Sequence, residues 1–182
     1  MQVSQLPNII SGLRIALTVP IVWLLWHEQF GWGLLLFVVA GVSDGLDGYL
    51  AKRFGWESRL GGLLDPAADK FLLVASYVAL GWRGYLPVWL VAAVILRDLV
   101  IVGGALIYHY RIARLEASPL LISKVNTFVQ LLLVVAVIFD QALWSLPQVL
   151  LDGLVYVVLL TTVLSGVSYV REWSRRAQQR GA

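Results

Sequence analysis

Long apolar runs separated by short polar turns fill this chain from end to end. A helix that crosses a hydrocarbon core of about 30 Å needs about 20 apolar residues. Six stretches reach that length, at approximately 6–27, 31–54, 60–81, 86–110, 119–140 and 147–172. The pattern predicts an all-α integral membrane protein with six transmembrane helices. The second and third stretches are long enough to pass beyond the bilayer on one side, which puts the turn from Lys52 to Arg59 near the headgroups. No Pro/Gly/Ser-rich linker interrupts the periodicity, and 182 residues suit one domain, so residues 1–182 are read as a single transmembrane domain. The first apolar run follows Met1, Gln2 and Val3 without a basic leader or a small-residue cleavage site, and is expected to be a retained helix.

Composition agrees with the pattern. The chain is 59% hydrophobic and 14% charged, with 8 Trp, and its mean hydropathy is +0.80. These values exclude an ordinary soluble domain. With no Cys, disulfides, thiolate metal sites and Cys nucleophiles drop out. Basic residues are unevenly distributed: Lys52, Arg53, Arg59, Arg111, Arg114, Arg171, Arg175, Arg176 and Arg180 fall on one side of the expected spans and Arg83 alone on the other. By the positive-inside rule both termini and the 52–59 and 111–118 turns face the cytoplasm, or the equivalent matrix side of an organelle. A bacterial cytoplasmic (inner) membrane, or its equivalent, is the expected location. Anionic lipid headgroups suffice to explain the net charge of +3, and nucleic acid is not an expected partner.

Against this apolar background, four carboxylates stand between Asp44 and Asp69. Asp44 and Asp47 are three residues apart, Asp65 and Asp69 four, and on an α-helix each pair shares a face. Asp44, Asp47, Gly48 and Ala51 form one narrow stripe, and Gly61, Asp65 and Asp69 form another on the next helix. Two carboxylate pairs can therefore oppose each other across a helical hairpin. An isolated ionised Asp in the membrane costs roughly 2.5–3.5 kcal/mol, hence on the order of 10 kcal/mol for four left unpaired. Lys70 lies about 100° round the helix from Asp69, and Lys52, Arg53 and Arg59 crowd the turn. Two divalent cations would balance the charge, and an all-oxygen set favours Mg²⁺ or Mn²⁺. Paired hard cations on carboxylates are suited to phosphoryl chemistry. A salt-bridged hairpin without ions is the structural alternative. Gly41, Gly45, Gly48, Gly61 and Gly62 keep the hairpin walls bare; helix packing suits Gly41 and Gly45, and a ligand-facing role suits Gly48 and Gly61.

The run Asp44-x2-Asp47-Gly48-x2-Ala51-Lys52-x8-Gly61-x3-Asp65-x3-Asp69 resembles the signature of the CDP-alcohol phosphatidyltransferases, D-x2-D-G-x2-A-R-x8-G-x3-D-x3-D, at every fixed position but one. Lys52 stands where the family usually has Arg, keeping the charge but losing the bidentate fork, so Arg53 is a candidate to share that role. The resemblance implies a six-helix membrane enzyme, usually a homodimer, that moves a phosphatidyl group from CDP-diacylglycerol to an alcohol and releases CMP. It further implies that Asp44, Asp47, Asp65 and Asp69 ligate two Mg²⁺ or Mn²⁺ ions and that Asp69 is the general base. Gly48, Ala51, Lys52 and Gly61 would lie against the nucleotide.

Other segments bear on the acceptor alcohol. Asn8, Ser11 and Arg14, in L-P-N-I-I-S-G-L-R, resemble the family's L-P-N-x-x-T-x-x-R entry motif; a helix cap with a snorkelling Arg is the plainer reading. Arg97 and Asp98 are ionisable residues inside the fourth apolar stretch, a functional pointer by default unless they neutralise one another. Lys124, Asn126, Thr127 and Gln130 put a polar, cationic stripe on the fifth helix. That run and I-L-R-D look most like the eukaryotic-type, CMP-forming cardiolipin synthases, whose acceptor is phosphatidylglycerol. The family's phosphatidylglycerophosphate synthases carry K-x-K-T-x-x-Q, and Asn126 replaces the second Lys here. Fewer bases suit the singly charged phosphodiester better than glycerol 3-phosphate. Arg97, Arg111, Arg114 and Lys124 nonetheless leave the latter acceptor open as the alternative. A small ion or proton transporter is the reading from a different class; it expects discontinuous helices and an inverted repeat, and neither is visible. His27, His109 and the Trp and Tyr residues near helix ends are expected to be interfacial.

Overall fold

The structure is a computed structural model that describes the backbone of residues 6–54, 61–111 and 121–180, and the side chains of 12–43, 68–104, 121–173 and 175. Six helices follow one another: α1 (Leu6–Trp26), α2 (Phe30–Phe54), α3 (Gly61–Trp82), α4 (Val88–Arg111), α5 (Leu121–Ala142) and α6 (Gln148–Arg180). Each coincides with one of the expected apolar stretches. The main difference is at the C-terminus, where α6 continues past 172 through R-E-W-S-R-R-A-Q-Q-R, a run without a helix breaker before Gly181. Among the described residues, α5 and the Gln148–Trp173 part of α6, 22 and 26 residues long, are apolar enough to cross a membrane; the apolar stretches Gly12–Trp26 and Phe30–Ser43 are shorter.

Contacts group the chain into two compact units, residues 1–86 with 134–145, and residues 87–133 with 146–182, so that α5 contributes to both. In the first unit α1 packs against α2 and α3. Its inward stripe is Arg14, Thr18, Ile21 and Leu25, spaced four, three and four residues apart as one helical face requires. Phe30, Phe37 and Ala40 of α2 and Ala68, Leu72, Ser76, Tyr77 and Leu80 of α3 add to the buried surface. Gly33 brings α2 close to α1, since a Cβ there would stand 3.1 Å from Leu25 Cδ2.

At one end of this unit α1 and α3 finish in the same way. After α1, the Gln29 amide donates to the Leu24 carbonyl and the Glu28 amide to Leu25, with Glu28 at φ 59°. After α3, the Tyr85 amide donates to Leu80 and the Gly84 amide to Gly81, with Gly84 at φ 83°. Both are Schellman caps, in which a left-handed residue lets the last carbonyls find donors. Glycine adopts that conformation freely; Glu28 does so against a cost of roughly 1 kcal/mol. Its carboxylate accepts from the Arg83 guanidinium and, at 3.2 Å, from the Tyr85 hydroxyl, so the two caps are pinned together. Burial first, then the bond to Glu28, raises the Tyr85 hydroxyl above its ordinary pKa. The Trp26 and Trp82 rings stack at 5.9 Å, and Phe30 meets Tyr85 edge-on at 5.0 Å.

In the second unit α4 packs against α6. Pro87 and Pro147 precede the two helices and offer their carbonyls to the first free amides, at 2.9 Å to Leu90 and to Leu150. Leu90, Val94 and Arg97 form the buried stripe of α4, and Val155, Val158, Thr162 and Ser165 that of α6. Gly104 receives the Trp173 ring so closely that a Cβ would fall 1.9 Å from its Cζ3. Large apolar side chains stay exposed on every helix, among them Leu13, Leu35, Phe71, Leu99, Phe128 and Leu160.

Candidate active site

The acid-bearing hairpin lies in the first unit. Asp44 and Asp47 stand in the C-terminal half of α2, and Asp65 and Asp69 in the first half of α3. The backbone thus gives each pair the helical register that its spacing predicts. The side chains of Asp44, Asp47, Gly48, Ala51, Lys52, Arg53, Gly61 and Asp65 lie outside the described residues, as does the 55–60 turn. Asp69 is described: its side chain is 44% exposed, beside the fully buried Ala68.

The carboxylate of Asp69 accepts a hydrogen bond from the Arg14 guanidinium of α1. Arg14 itself is almost entirely buried, its side chain 4% exposed. One turn further on, the Thr18 hydroxyl donates to the Arg14 carbonyl at 2.9 Å. The hairpin's own bases are therefore not the only cations available to the quartet: α1 supplies one from 55 residues away in sequence. Asn8 and Ser11, the rest of the entry motif, lie outside the described side chains.

Four carboxylates are hard oxygen donors of the kind that Mg²⁺ and Mn²⁺ prefer. The one whose side chain is described is half open to its surroundings, so an arriving ion can reach it. This donor set fits a divalent metal. Among the described residues no three His, Asp or Glu side chains converge, because only one member of the quartet is included there.

A second polar centre occupies the other unit. Arg97, 6% exposed on α4, donates to Asp98 at 2.7 Å, to the Ser123 hydroxyl of α5 at 2.7 Å and to the Ser165 hydroxyl of α6. Its guanidinium lies 6.0 Å from the Tyr169 ring centre, and its stem packs 3.7 Å from the position a Cβ would take on Gly166. Below it, Asn126 Oδ1 accepts from Thr161 at 2.9 Å and from Thr162 at 3.0 Å, and the Gln130 amide reaches Thr162 at 3.4 Å. Among the described residues two buried donors of this network, Arg97 Nε and Asn126 Nδ2, meet no acceptor. Buried donors of that kind ordinarily find water or a ligand.

The expected stripe on α5 divides here. Asn126 and Gln130 are fully buried, Lys124 is exposed, and the Thr127 hydroxyl is turned to its own helix, donating to the Ser123 carbonyl at 3.1 Å. Residues two apart on a helix face roughly opposite sides, so Lys124 and Asn126 cannot belong to one face. Ser123, Thr161, Thr162, Ser165 and Tyr169 join this network without having been marked by any motif. The exposed His27 ring lies on Trp23, 4.4 Å away, and meets the Trp23 carbonyl at 2.8 Å. The Arg111 and His109 side chains and all of Arg114 lie outside the described residues.

Comparison with known proteins bears on what such a hairpin is for. Cardiolipin synthase (CMP-forming) of Streptomyces coelicolor is 42% identical over 111 residues, 56% of this chain and 52% of that protein. The human cardiolipin synthase (CMP-forming) is 33% identical over 180 residues, 90% of this chain and 60% of its own length. A chloroplastic CDP-diacylglycerol–glycerol-3-phosphate 3-phosphatidyltransferase of Oryza sativa is 34% identical over 183 residues, 91% of this chain and 56% of the relative. The chain thus spans about half to three-fifths of the length of these relatives. The family model described as CDP-alcohol phosphatidyltransferase matches residues 4–168, a span that takes in the acid quartet, Arg14 and the Arg97 network together. By that match the chain belongs to the CDP-alcohol phosphatidyltransferase family.

Proposed function

We propose that the chain transfers a phosphatidyl group from CDP-diacylglycerol to a hydroxyl of phosphatidylglycerol, giving cardiolipin and CMP. The observation that carries this reading is the acid quartet, spaced on α2 and α3 as the family signature demands, inside a family match over residues 4–168. The acceptor hydroxyl oxygen attacks the phosphatidyl phosphorus, the phosphorus–oxygen bond to CMP breaks, and Asp69 takes the hydroxyl proton. Asp44, Asp47, Asp65 and Asp69 would hold two Mg²⁺ or Mn²⁺ ions, which, when bound, neutralise the diphosphate and stabilise the CMP leaving group. Gly48, Ala51, Lys52 and Gly61 line the nucleotide. Asn8, Ser11, Arg14, Arg53, Arg97, Arg111, Arg114, Lys124 and Thr127 are the residues from which acceptor and phosphate contacts are drawn.

Phosphatidylglycerol is favoured as acceptor because the human and Streptomyces relatives are cardiolipin synthases. The charge around Arg97 points the same way: Asp98 already neutralises the guanidinium, which leaves little attraction for a dianion. The rice relative, a glycerol-3-phosphate phosphatidyltransferase of similar identity, supports glycerol 3-phosphate as the second reading. Six spans remain our reading of all six helices, supported by the apolar side chains exposed along each of them. The clustered Arg and Lys residues support a cytoplasmic acid hairpin, and the family resemblance supports a homodimer. The family match crosses both compact units, which supports one catalytic domain.

Product identity decides the matter. Purified protein is given labelled CDP-diacylglycerol with phosphatidylglycerol or with glycerol 3-phosphate. Labelled cardiolipin from the first mixture alone is the expected result, phosphatidylglycerophosphate from the second would transfer the assignment to the alternative acceptor, and no CMP from either would end the enzymatic reading.

A further inference from the structure

We propose that Arg14 is the counter-ion that Asp69 gives up when substrate arrives, and that this makes the divalent cation and the nucleotide diphosphate enter together, not the cation first. The inference rests on the metal-assisted reading of the acid quartet and concerns the order in which that site fills.

The ion pair is lopsided. Arg14 is the buried partner, on the face of α1 that packs into the first unit, whereas Asp69 is nearly half exposed. The guanidinium is thus built into the wall, and the carboxylate is the part that a ligand can reach. Arg14 is almost wholly buried, and a guanidinium keeps its charge at any ordinary pH, so that charge remains in place whatever else binds.

A dication approaching Asp69 alone meets this fixed positive charge within a few ångströms, and repulsion at that range in a part-buried setting is several times stronger than in water. It must also share or displace a carboxylate already engaged in a charge-assisted bond. A diphosphate reverses the balance. Its oxygens match the planar fork of an Arg and can take over the guanidinium's donors where they stand, while the more exposed Asp69 carboxylate turns to the metal. Charge is then paired throughout: carboxylate with metal, guanidinium with phosphate. In the resting protein the same Arg limits the cost of an exposed acid cluster beside the bilayer. Arg14 is accordingly a positioning and coupling residue rather than a group that touches the departing proton.

Mn²⁺ binding, measured by the loss of the free-ion paramagnetic resonance signal, tests this without turnover. The full chain in nanodiscs is titrated with Mn²⁺, with and without CDP-diacylglycerol and with no acceptor present. Wild type should bind Mn²⁺ weakly alone and about ten- to a hundredfold more tightly with the nucleotide lipid, a coupling in the ordinary range between linked sites. Arg14→Gln should bind Mn²⁺ alone about tenfold more tightly than wild type and lose most of the coupling. Arg14→Lys, which keeps the charge, should resemble wild type in weak binding of Mn²⁺ alone. A strut that merely joins α1 to α3 would leave these affinities unmoved.

Equal affinity of wild type and Arg14→Gln for Mn²⁺ alone would overturn the proposal while leaving the enzymatic reading intact. So would a wild-type affinity indifferent to CDP-diacylglycerol, a result that needs no variant to fold. Absence of Mn²⁺ binding under every condition would instead remove the metal-assisted reading and this inference with it.

Discussion

Replacing Arg97 by Met separates the two things that residue can do. Its guanidinium holds the neighbouring Asp98, whose side chain is only 14% exposed, and two serine hydroxyls from other helices. Methionine matches much of the stem's volume, so the cavity is small and the loss is chiefly polar. Hydrogen bonds from a charged donor are worth about 1.5–3 kcal/mol each, but Ser123 and Ser165 can relax towards their own helix carbonyls. The larger effect is the loss of the guanidinium beside the Asp98 charge in a confined place, since truncating one side of a buried pair costs about 3–5 kcal/mol. Removing both charges, as Arg97→Met with Asp98→Leu, abolishes that penalty and should return stability to within about 1 kcal/mol of wild type. Reversible unfolding in mixed micelles, followed by circular dichroism against the mole fraction of denaturing detergent, reads the difference. If the single variant is as stable as the double, the argument from the lost ion pair is wrong. Turnover then adds a second answer: a stable double variant with a raised KM for phosphatidylglycerol and an unchanged KM for CDP-diacylglycerol assigns Arg97 to the acceptor, whereas unaltered kinetics make the pair structural.

Asp69→Asn should abolish CMP release while CDP-diacylglycerol binding stays measurable by equilibrium dialysis, because the base goes and three of the four proposed ligands remain. Chelation with EDTA should stop turnover, and added Mg²⁺ or Mn²⁺ should restore it; turnover indifferent to the chelator would contradict the proposed metal site. Gly104→Ala places a Cβ inside the Trp173 ring and should cost about 1–3 kcal/mol. The same change in a Trp173→Ala background should cost under about 1 kcal/mol, which a double-mutant cycle in the same unfolding assay measures. At the Glu28 cap, Ala should be about 1 kcal/mol less stable than Gly, the reverse of their helix preferences, since only Gly relieves the left-handed backbone when the bonds to Arg83 and Tyr85 are lost.

The helices were legible because an apolar run of about 20 residues leaves few alternatives, and all six emerge, five close to their expected bounds and α6 running on past its expected end. Neither left-handed cap was among the sequence expectations: Gly84, in W-R-G-Y, is at least the residue type that favours one, while Glu28, in H-E-Q-F, adopts the same conformation with no local signal. What joins Arg14 to Asp69 was hidden for another reason. Periodicity assigns faces within a helix but not which face of α1 meets α3, so the hairpin's counter-ion had to be sought elsewhere in sequence than where it lies. The Arg97 network shows the same limit: Arg97 and Asp98 stand out among aliphatic neighbours, but Ser123 and Ser165 resemble any small residue of a packed helix. The Lys124–Asn126 division was within reach of simple helical arithmetic, which places residues two apart on roughly opposite sides.

The neighbouring positions of Arg97 and Asp98 have a consequence for biogenesis. Because the two charges are adjacent on one helix, α4 brings its own neutralising partner wherever it goes, before α5 or α6 has been synthesised. Arg14 draws instead on a distant acid, Asp69, which arrives with α3, 55 residues later. With the six spans proposed above made from the N-terminus onwards, α1 would then wait for Asp69 until the third segment emerged, while the fourth could partition into lipid as soon as it was complete. The first three segments would leave as a group, which matches their packing into one compact unit.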